Sequence, residues 1–220
     1  MNKKLYILSF LISLCLVGFA QKSEKVFTGE LKYHISYPGS DLSDSELDLL
    51  PEEMKMYIGK DKVKTSLPSK MGSTEIIFDL DEKTSTVLVD LTGNKYAIKS
   101  PIKENKADTI PPHITETSDT KEIAGYNCKK IFLTVFDESG RPKPKITIYV
   151  TDEIYNPKAF QFMPEFKNLP GFPLEYDILN GEVPQRLTAI QVERKSVSKR
   201  TFKIPKGYKI HPVYEIQRNY

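Results

Sequence analysis

From Phe27 the chain alternates: Phe27, Gly29, Leu31, Tyr33, Ile35 and Tyr37 stand at odd positions, and Thr28, Glu30, Lys32, His34 and Ser36 at even ones. A period of two predicts a strand with one buried and one wetted face. The alternation returns in Ile131, Leu133 and Val135, in Ile146, Ile148 and Val150, and in Thr188, Ile190 and Val192. Antiparallel sheets covered on a single face produce this pattern. Between them, Ser73 to Leu80, Thr86 to Leu91 and Lys95 to Lys99 are strand-like. The polar turns Asp81-Glu82-Lys83-Thr84 and Thr92-Gly93-Asn94 separate them, which predicts a meander.

One helix is expected before the meander. Ser43 or Asp44 can cap it, Leu47, Leu50, Met54 and Tyr57 follow a three-to-four spacing, and Gly59 stops it, with Pro51 inside or splitting it. Its apolar stripe is expected to pack on the sheet. Residues 100–120, rich in proline, threonine and charge, read as a long surface loop. A second irregular stretch, Asn156 to Pro173, interleaves Pro157, Pro164, Pro170 and Pro173 with Phe160, Phe162, Phe166 and Phe172. Prolines hold such a stretch off a regular ladder. These four phenylalanines are the candidate ligand-binding residues, expected to border the mouth of an apolar cavity; the alternative is a loop packed over one end of the core.

The head of the chain has a different texture. Met1-Asn2-Lys3-Lys4 is basic, Leu5 to Phe19 is apolar, and Gly18-Phe19-Ala20 closes the run with small residues where a signal peptidase reads. The expected organisation is a signal peptide at 1–20, cleaved near Ala20, followed by a single β-rich domain at 21–220. The apolar run is shorter than the roughly 20 residues of a membrane span, so the mature chain is expected to have no transmembrane segment and to be periplasmic or secreted. Leu14 occupies the position where lipid attachment at Cys15 needs a small residue, so Cys15 is read as part of the signal.

Removal of Lys3 and Lys4 leaves 30 basic against 29 acidic residues, a balance that argues against nucleic acid as a partner. With Cys15 cleaved away, Cys128 is alone and no intramolecular disulfide can form. Ile123, Tyr126, Ile131 and Leu133 surround it in sequence, so a buried, unreactive thiol is expected. His34, His113 and His211 have no partner at metal spacing, and no nucleophile elbow, phosphate loop or dinucleotide turn is present. No catalytic residue, metal site or cofactor is therefore expected. A carboxylate pair converging from distant strands, as in a hydrolase, stays open as an alternative.

Ile123-Ala124-Gly125-Tyr126-Asn127-Cys128-Lys129-Lys130, preceded by Glu116-Thr117 and Asp119-Thr120, resembles the I-x-G-Y-x-C-K-K signature of a family of secreted bacterial domains of unassigned function. Asn168-Leu169-Pro170-Gly171-Phe172-Pro173-Leu174-Glu175-Tyr176 is similar to the closing motif of the related GLPGLI family, from which it departs at Phe172 and Pro173. Neither resemblance implies catalytic residues. A third resemblance lies in the Phe27-x-Gly29 entry, the helix, the meander and the late Phe202-x-Ile204-Pro205-x-Gly207-Tyr208 segment, which look like the periplasmic lipoprotein carriers of the LolA and LolB type. It implies a mainly β fold: a curved antiparallel sheet, or half-barrel, with one or two covering helices, whose concave side holds acyl chains. The same interior can instead be filled by the 12 tyrosines and 11 phenylalanines. The expected function is a non-enzymatic binding protein for a lipid or other apolar ligand. The alternative is an envelope module that binds a protein partner and no small ligand.

Overall fold

The first alternation folds as β1 (Gly29–Ser36), whose Leu31, Tyr33 and Ile35 are buried while Glu30, Lys32 and His34 are not. The computed structural model describes residues 25–102, 110–137, 139–166, 168–178 and 183–212. The signal peptide, Cys15 and Gln21 lie outside them.

After β1 a single helical turn, α1 (Asp44–Leu47), is closed by Ser43, whose backbone N–H donates to Glu46 Oε2 at 2.9 Å. The chain then runs as an unbroken meander of β2 (Glu53–Ile58), β3 (Lys62–Ser69), β4 (Gly72–Asp79), β5 (Thr84–Leu91) and β6 (Asn94–Pro101). A second meander holds β7 (His113–Ile123), β8 (Tyr126–Thr134), β9 (Ile146–Thr151), β10 (Phe172–Ile178) and β11 (Gln185–Arg194). β11 pairs with β1 and joins the two meanders, and β12 (Lys209–Pro212) adds a parallel edge to β6. The result is one curved, open sheet of 12 strands in the order β12-β6-β5-β4-β3-β2-β1-β11-β10-β9-β8-β7. The mainly β half-barrel is thus present, with little helix.

Four expectations need correction. The irregular stretch ends before Phe172: Phe172 and Pro173 open strand β10, where Pro173 sits at a register shift against β9. The helix stops at Leu47, and residues 53–58 are strand β2, because Met54, Met56 and Ile58 bury every second position and Pro51 blocks continuation of the helix. Covering is consequently done by loops and single turns. The loop expected at 100–120 is shorter at both ends: β6 reaches Pro101 and β7 begins at His113 as an edge strand, which tolerates its polar, exposed sequence, and residues 103–109 lie outside the described residues. In β11 the buried side chains are Leu187 and Ala189, and Ile190 is 54% exposed. The register with β1 slips here, since Lys32 faces Gln191 and Tyr33 faces Ala189, leaving Ile190 as an unpaired extra residue.

Such irregularities cluster in one half of the sheet. The β1–β11, β9–β10 and β7–β8 ladders each carry a register shift, and those from β2 to β6 carry none. Bulges bend strands and raise their twist. The half that carries them curls until β7 touches β11, four strands away in the sheet. Inside the curl lies the main core, with Phe27, Leu31, Tyr33, Met56, Ile131, Ile148, Leu174 and Leu187 all nearly solvent-free. The seam between the meanders is tight: a Cβ on Gly29 would sit 2.1 Å from the Glu193 carbonyl oxygen, so only glycine fits after Phe27.

A smaller cluster lies on the opposite, outer face, where Ile77, Leu88 and Ala97 are covered by Phe202, Ile204 and Tyr208. That C-terminal strap starts with a 3₁₀ turn at Lys199–Phe202, opened by Ser198 Oγ accepting the Arg200 N–H at 3.3 Å. It crosses the outer face before β12 pairs, and a crossing of this kind is what a parallel partner requires.

Candidate functional site

The phenylalanine- and proline-rich segment lies over the core. Its start is tied to β1: the Phe27 N–H donates to the Tyr155 carbonyl at 2.7 Å, and Asn156 Nδ2 donates to the Phe27 carbonyl at 2.7 Å. Turns follow, closed by Met163 N–H to the Phe160 carbonyl and by Phe166 N–H to the Met163 carbonyl, both at 2.9 Å. Lys158 reaches Asp61 at 3.5 Å and Asp81 at 3.7 Å, anchoring the loop to the ends of β3 and β4.

The four phenylalanines take different places. Phe160, Phe166 and Phe172 are buried and join Tyr176 in one aromatic cluster, with Phe160 5.2 Å from Phe172 and Phe166 5.2 Å from Tyr176, centroid to centroid. Tilted and edge-on contacts of this kind satisfy the ring quadrupoles and leave little empty space. Their rims, with Tyr155, Gln161 and Pro170, line a cleft of about 360 Å³ open to solvent. Phe162 is at the edge of this cluster, 6.1 Å from Phe160. It is half-buried and stacks on Phe78 of β4 at 3.9 Å and 11°. It thereby marks where the filled interior ends.

Beyond Phe162 the concave face continues over β3–β6. Partners across each ladder share a face, so the register aligns Thr65, Ile76, Val87 and Ile98 in one row and Leu67, Thr74, Val89 and Tyr96 in the next. Ile76, Val87, Val89 and Ile98 are half-buried and belong to neither apolar cluster; Tyr96 is 41% exposed. The charged residues of these four strands are Lys62, Lys64, Glu75, Asp79, Asp90, Lys95 and Lys99, and all lie on the outer face. There they pair: Lys64 with Glu75 at 2.9 Å, Lys95 with Asp90 at 3.2 Å, Lys99 with Glu82 at 3.1 Å, and Lys62 with Asp79. The concave face of β3–β6 carries no charge, only apolar side chains, hydroxyls and the Asn94 amide.

The polar groups of the curled half are committed to structure. Glu175 is buried between Lys121 Nζ at 2.8 Å and Thr188 Oγ1 at 2.9 Å, and so fastens edge strand β7 to β10 and β11. Arg186 holds Asp177 in two hydrogen bonds, of 2.7 and 3.1 Å. The Cys128 side chain is buried and its thiol donates weakly to the Tyr126 carbonyl at 3.6 Å. Burial, reinforced by the negative Glu153 and Glu175 and opposed by Lys121, pushes its pKa up to about 11. At neutral pH it is a protonated, shielded thiol. His34, His113 and His211 lie on β1, β7 and β12, and no group of three metal-ligating side chains occurs among the described residues. No helix among those residues is long and apolar enough to cross a membrane.

The two sequence signatures have structural places. Ala124-Gly125 forms the β7–β8 turn and Cys128 packs into the core, while Phe172 to Tyr176 are five successive buried residues of β10, a strand covered on both faces. No family model matches the chain, and no curated protein does. Among solved structures it is similar to PNGF-II, at 14% identity and a TM-score of 0.48, over 88% of this chain and 32% of that one. The chain thus spans about a third of that protein's length. It is also similar to the lipoprotein LppX of Mycobacterium tuberculosis, at 12% identity and 0.44 over 90% and 99% of the two chains. LprF from Mycobacterium bovis matches at 12% and 0.35 over 78% and 88%. With identities this low, function is read from the chain's own side chains.

The rows Ile76-Val87-Ile98 and Leu67-Val89-Tyr96 were not singled out by sequence. Ile76-Ile77-Phe78 and Val87-Leu88-Val89 are unbroken apolar runs, the signature of strands covered on both faces. The available signal was the charge alternation around them, with Lys62 and Lys64, Glu75 and Asp79, and Lys95 and Lys99 each at even spacing.

Proposed function

We propose that this protein is a non-enzymatic binding protein, periplasmic or secreted after cleavage near Ala20, that holds a lipid or another apolar ligand against the concave face of β3–β6. The observation that carries this reading is the charge-free, half-open face itself. A sheet face that water is meant to cover gathers charged and polar residues. Here every charged residue of β3–β6 sits on the other face, and apolar side chains with scattered hydroxyls line the open one. Phe162, stacked on Phe78, forms the inner border of the site, and the buried Phe160, Phe166 and Phe172 back that border from the core side. Binding then draws on apolar area removed from water, about 25 cal/mol per Å² before the costs of association.

Mass spectrometry of gently purified protein should find bound lipid, and an apolar fluorophore should compete for the same face. Ile76→Asp should abolish uptake while the far-ultraviolet circular dichroism of the sheet is unchanged. Protein that carries no lipid and takes up no such probe is not a carrier. N-terminal sequencing of protein from the native envelope should read from Gln21, without a diacylglycerol on Cys15.

A further inference from the structure

We infer that the ligand of the concave face is a single-chain, long-chain carboxylate, a free fatty acid, whose headgroup lies at the outer edge of the sheet beside Lys209. The inference rests on the apolar-ligand reading above and adds to it the ligand's chemistry and orientation.

The parallel register of β12 sets Lys209 beside Tyr96 and His211 beside Ile98. The His211 ring stands 6.0 Å from the Tyr96 ring, centroid to centroid, which places it on the concave face and Lys209 with it, two residues away. The Tyr96 row therefore ends, at β12, in the exposed basic side chain of Lys209, and the Ile76 row ends at the His211 ring. The opposite end of the Ile76 row is closed: it runs into Thr65, 7% exposed, beside the fully buried Met56. β3–β6 supply no acid to this face that would neutralise Lys209 or repel an anion. The face is apolar and closed at one end, basic and open at the other. A molecule that complements both ends has a hydrocarbon tail directed inward and an anionic head directed outward.

Two features fix the number and length of tails. The row through Ile76, Val87 and Ile98 is apolar across its middle, and its neighbour is interrupted by Thr74, so the floor suits one chain better than two. From Thr65 to His211 the row crosses four strand spacings, about 19 Å at about 4.8 Å each, the reach of an extended long-chain tail. A zwitterionic headgroup would bring its ammonium against Lys209, and a neutral ester would leave the basic edge unused.

The test compares binding of a fluorescent long-chain fatty acid and its methyl ester to the purified protein. The acid should bind about tenfold more tightly than the ester at low salt, a preference that shrinks as salt rises. Lys209→Glu should remove the preference by weakening the acid alone, and Lys209→Gln should reduce it. Ile76→Asp should abolish binding of both probes. Equal affinity for acid and ester, or a preference that survives Lys209→Glu, overturns the carboxylate assignment and leaves the apolar-ligand reading standing. Capture of anionic phospholipid vesicles without binding of the monomeric acid also overturns it. If neither probe binds, both readings fall together.

Discussion

Tyr33 and Val87 point to the same side of one sheet, yet Tyr33 is fully buried and Val87 remains half-open. The difference follows from the ladders around them. Strands β7–β11 with β1 contain three register shifts, curl until their far edge meets β11, and close over Tyr33, whose hydroxyl donates to the Pro173 carbonyl at 3.1 Å. The ladders from β2 to β6 have none, stay regular, and present their face without closing over it. Bulges thus decide which half becomes core and which remains a surface. The phenylalanine loop reinforces that choice, since its rings enter the curled half and only Phe162 reaches out to the flatter one.

The sharpest way to break this comparison is to truncate one large side chain in each half. Phe160 touches four other aromatic rings, and Phe160→Ala should cost about 3–5 kcal/mol because the crowded cluster cannot collapse around the hole. Val87→Ala on the open face should cost no more than about 1 kcal/mol. Urea unfolding of the two variants measures both. Equal losses would mean that the face of β3–β6 is packed, and the site would lose its basis.

Much of the curled half was legible in sequence. Leu31, Tyr33 and Ile35 in β1, Ile131 and Leu133 in β8, and Ile146, Ile148 and Val150 in β9 obey a period of two, and they are buried as that period requires. Ile190 misled, because a bulge shifts the period by one residue without leaving a mark in composition. The Met54–Ile58 strand was hidden by a coincidence: Leu47, Leu50, Met54 and Tyr57 also fit a helix, and only Met56 and Ile58 show the strand period. The four candidate phenylalanines stand out in the sequence, but whether such a ring fills a core or lines a cavity depends on the curl of the sheet beneath it. For the open face the sequence carries only the alternation of charge around it, which does not say which side is covered. Which side of Val87-Leu88-Val89 is covered depends on where Phe202, Ile204 and Tyr208 come to lie, more than a hundred residues further on.

A second contrast concerns Cys128, at the heart of the curled half. It should resist alkylation in native protein and react after unfolding, and Cys128→Ser should cost roughly 1–3 kcal/mol through a poorly satisfied buried hydroxyl. The thiol also gives a pH signature. Its folded pKa of about 11 lies above its ordinary value near 9, so the folded state holds a proton that the unfolded state releases. Its contribution is full below pH 9 and falls as the pH rises towards 11. Burial raises Tyr33 and Tyr176 as well, which adds a loss of the same sign above pH 10. The part due to the thiol is the difference between wild type and Cys128→Ala, and identical pH profiles would place Cys128 outside the low-dielectric interior.

The smallest effect separates the halves by their turns. Thr92-Gly93 closes the β5–β6 hairpin of the open half with φ of 51° and 87°, and Ala124-Gly125 closes β7–β8 in the curled half with φ of 50° and 83°. Left-handed backbone at both central positions is the geometry that favours Asn-Gly. A β-branched residue tolerates that region worst, although Thr92 recovers part of the strain through a 2.8 Å hydrogen bond from its hydroxyl to the Leu91 carbonyl. Thr92→Asn should therefore stabilise by roughly 0.5 kcal/mol, and Ala124→Asn by less. If the sheet unfolds as one unit, both variants move the whole urea transition. If the regular half melts first, Thr92→Asn moves only the early part of it, and the boundary at Phe78 and Phe162 is then also a boundary of cooperativity.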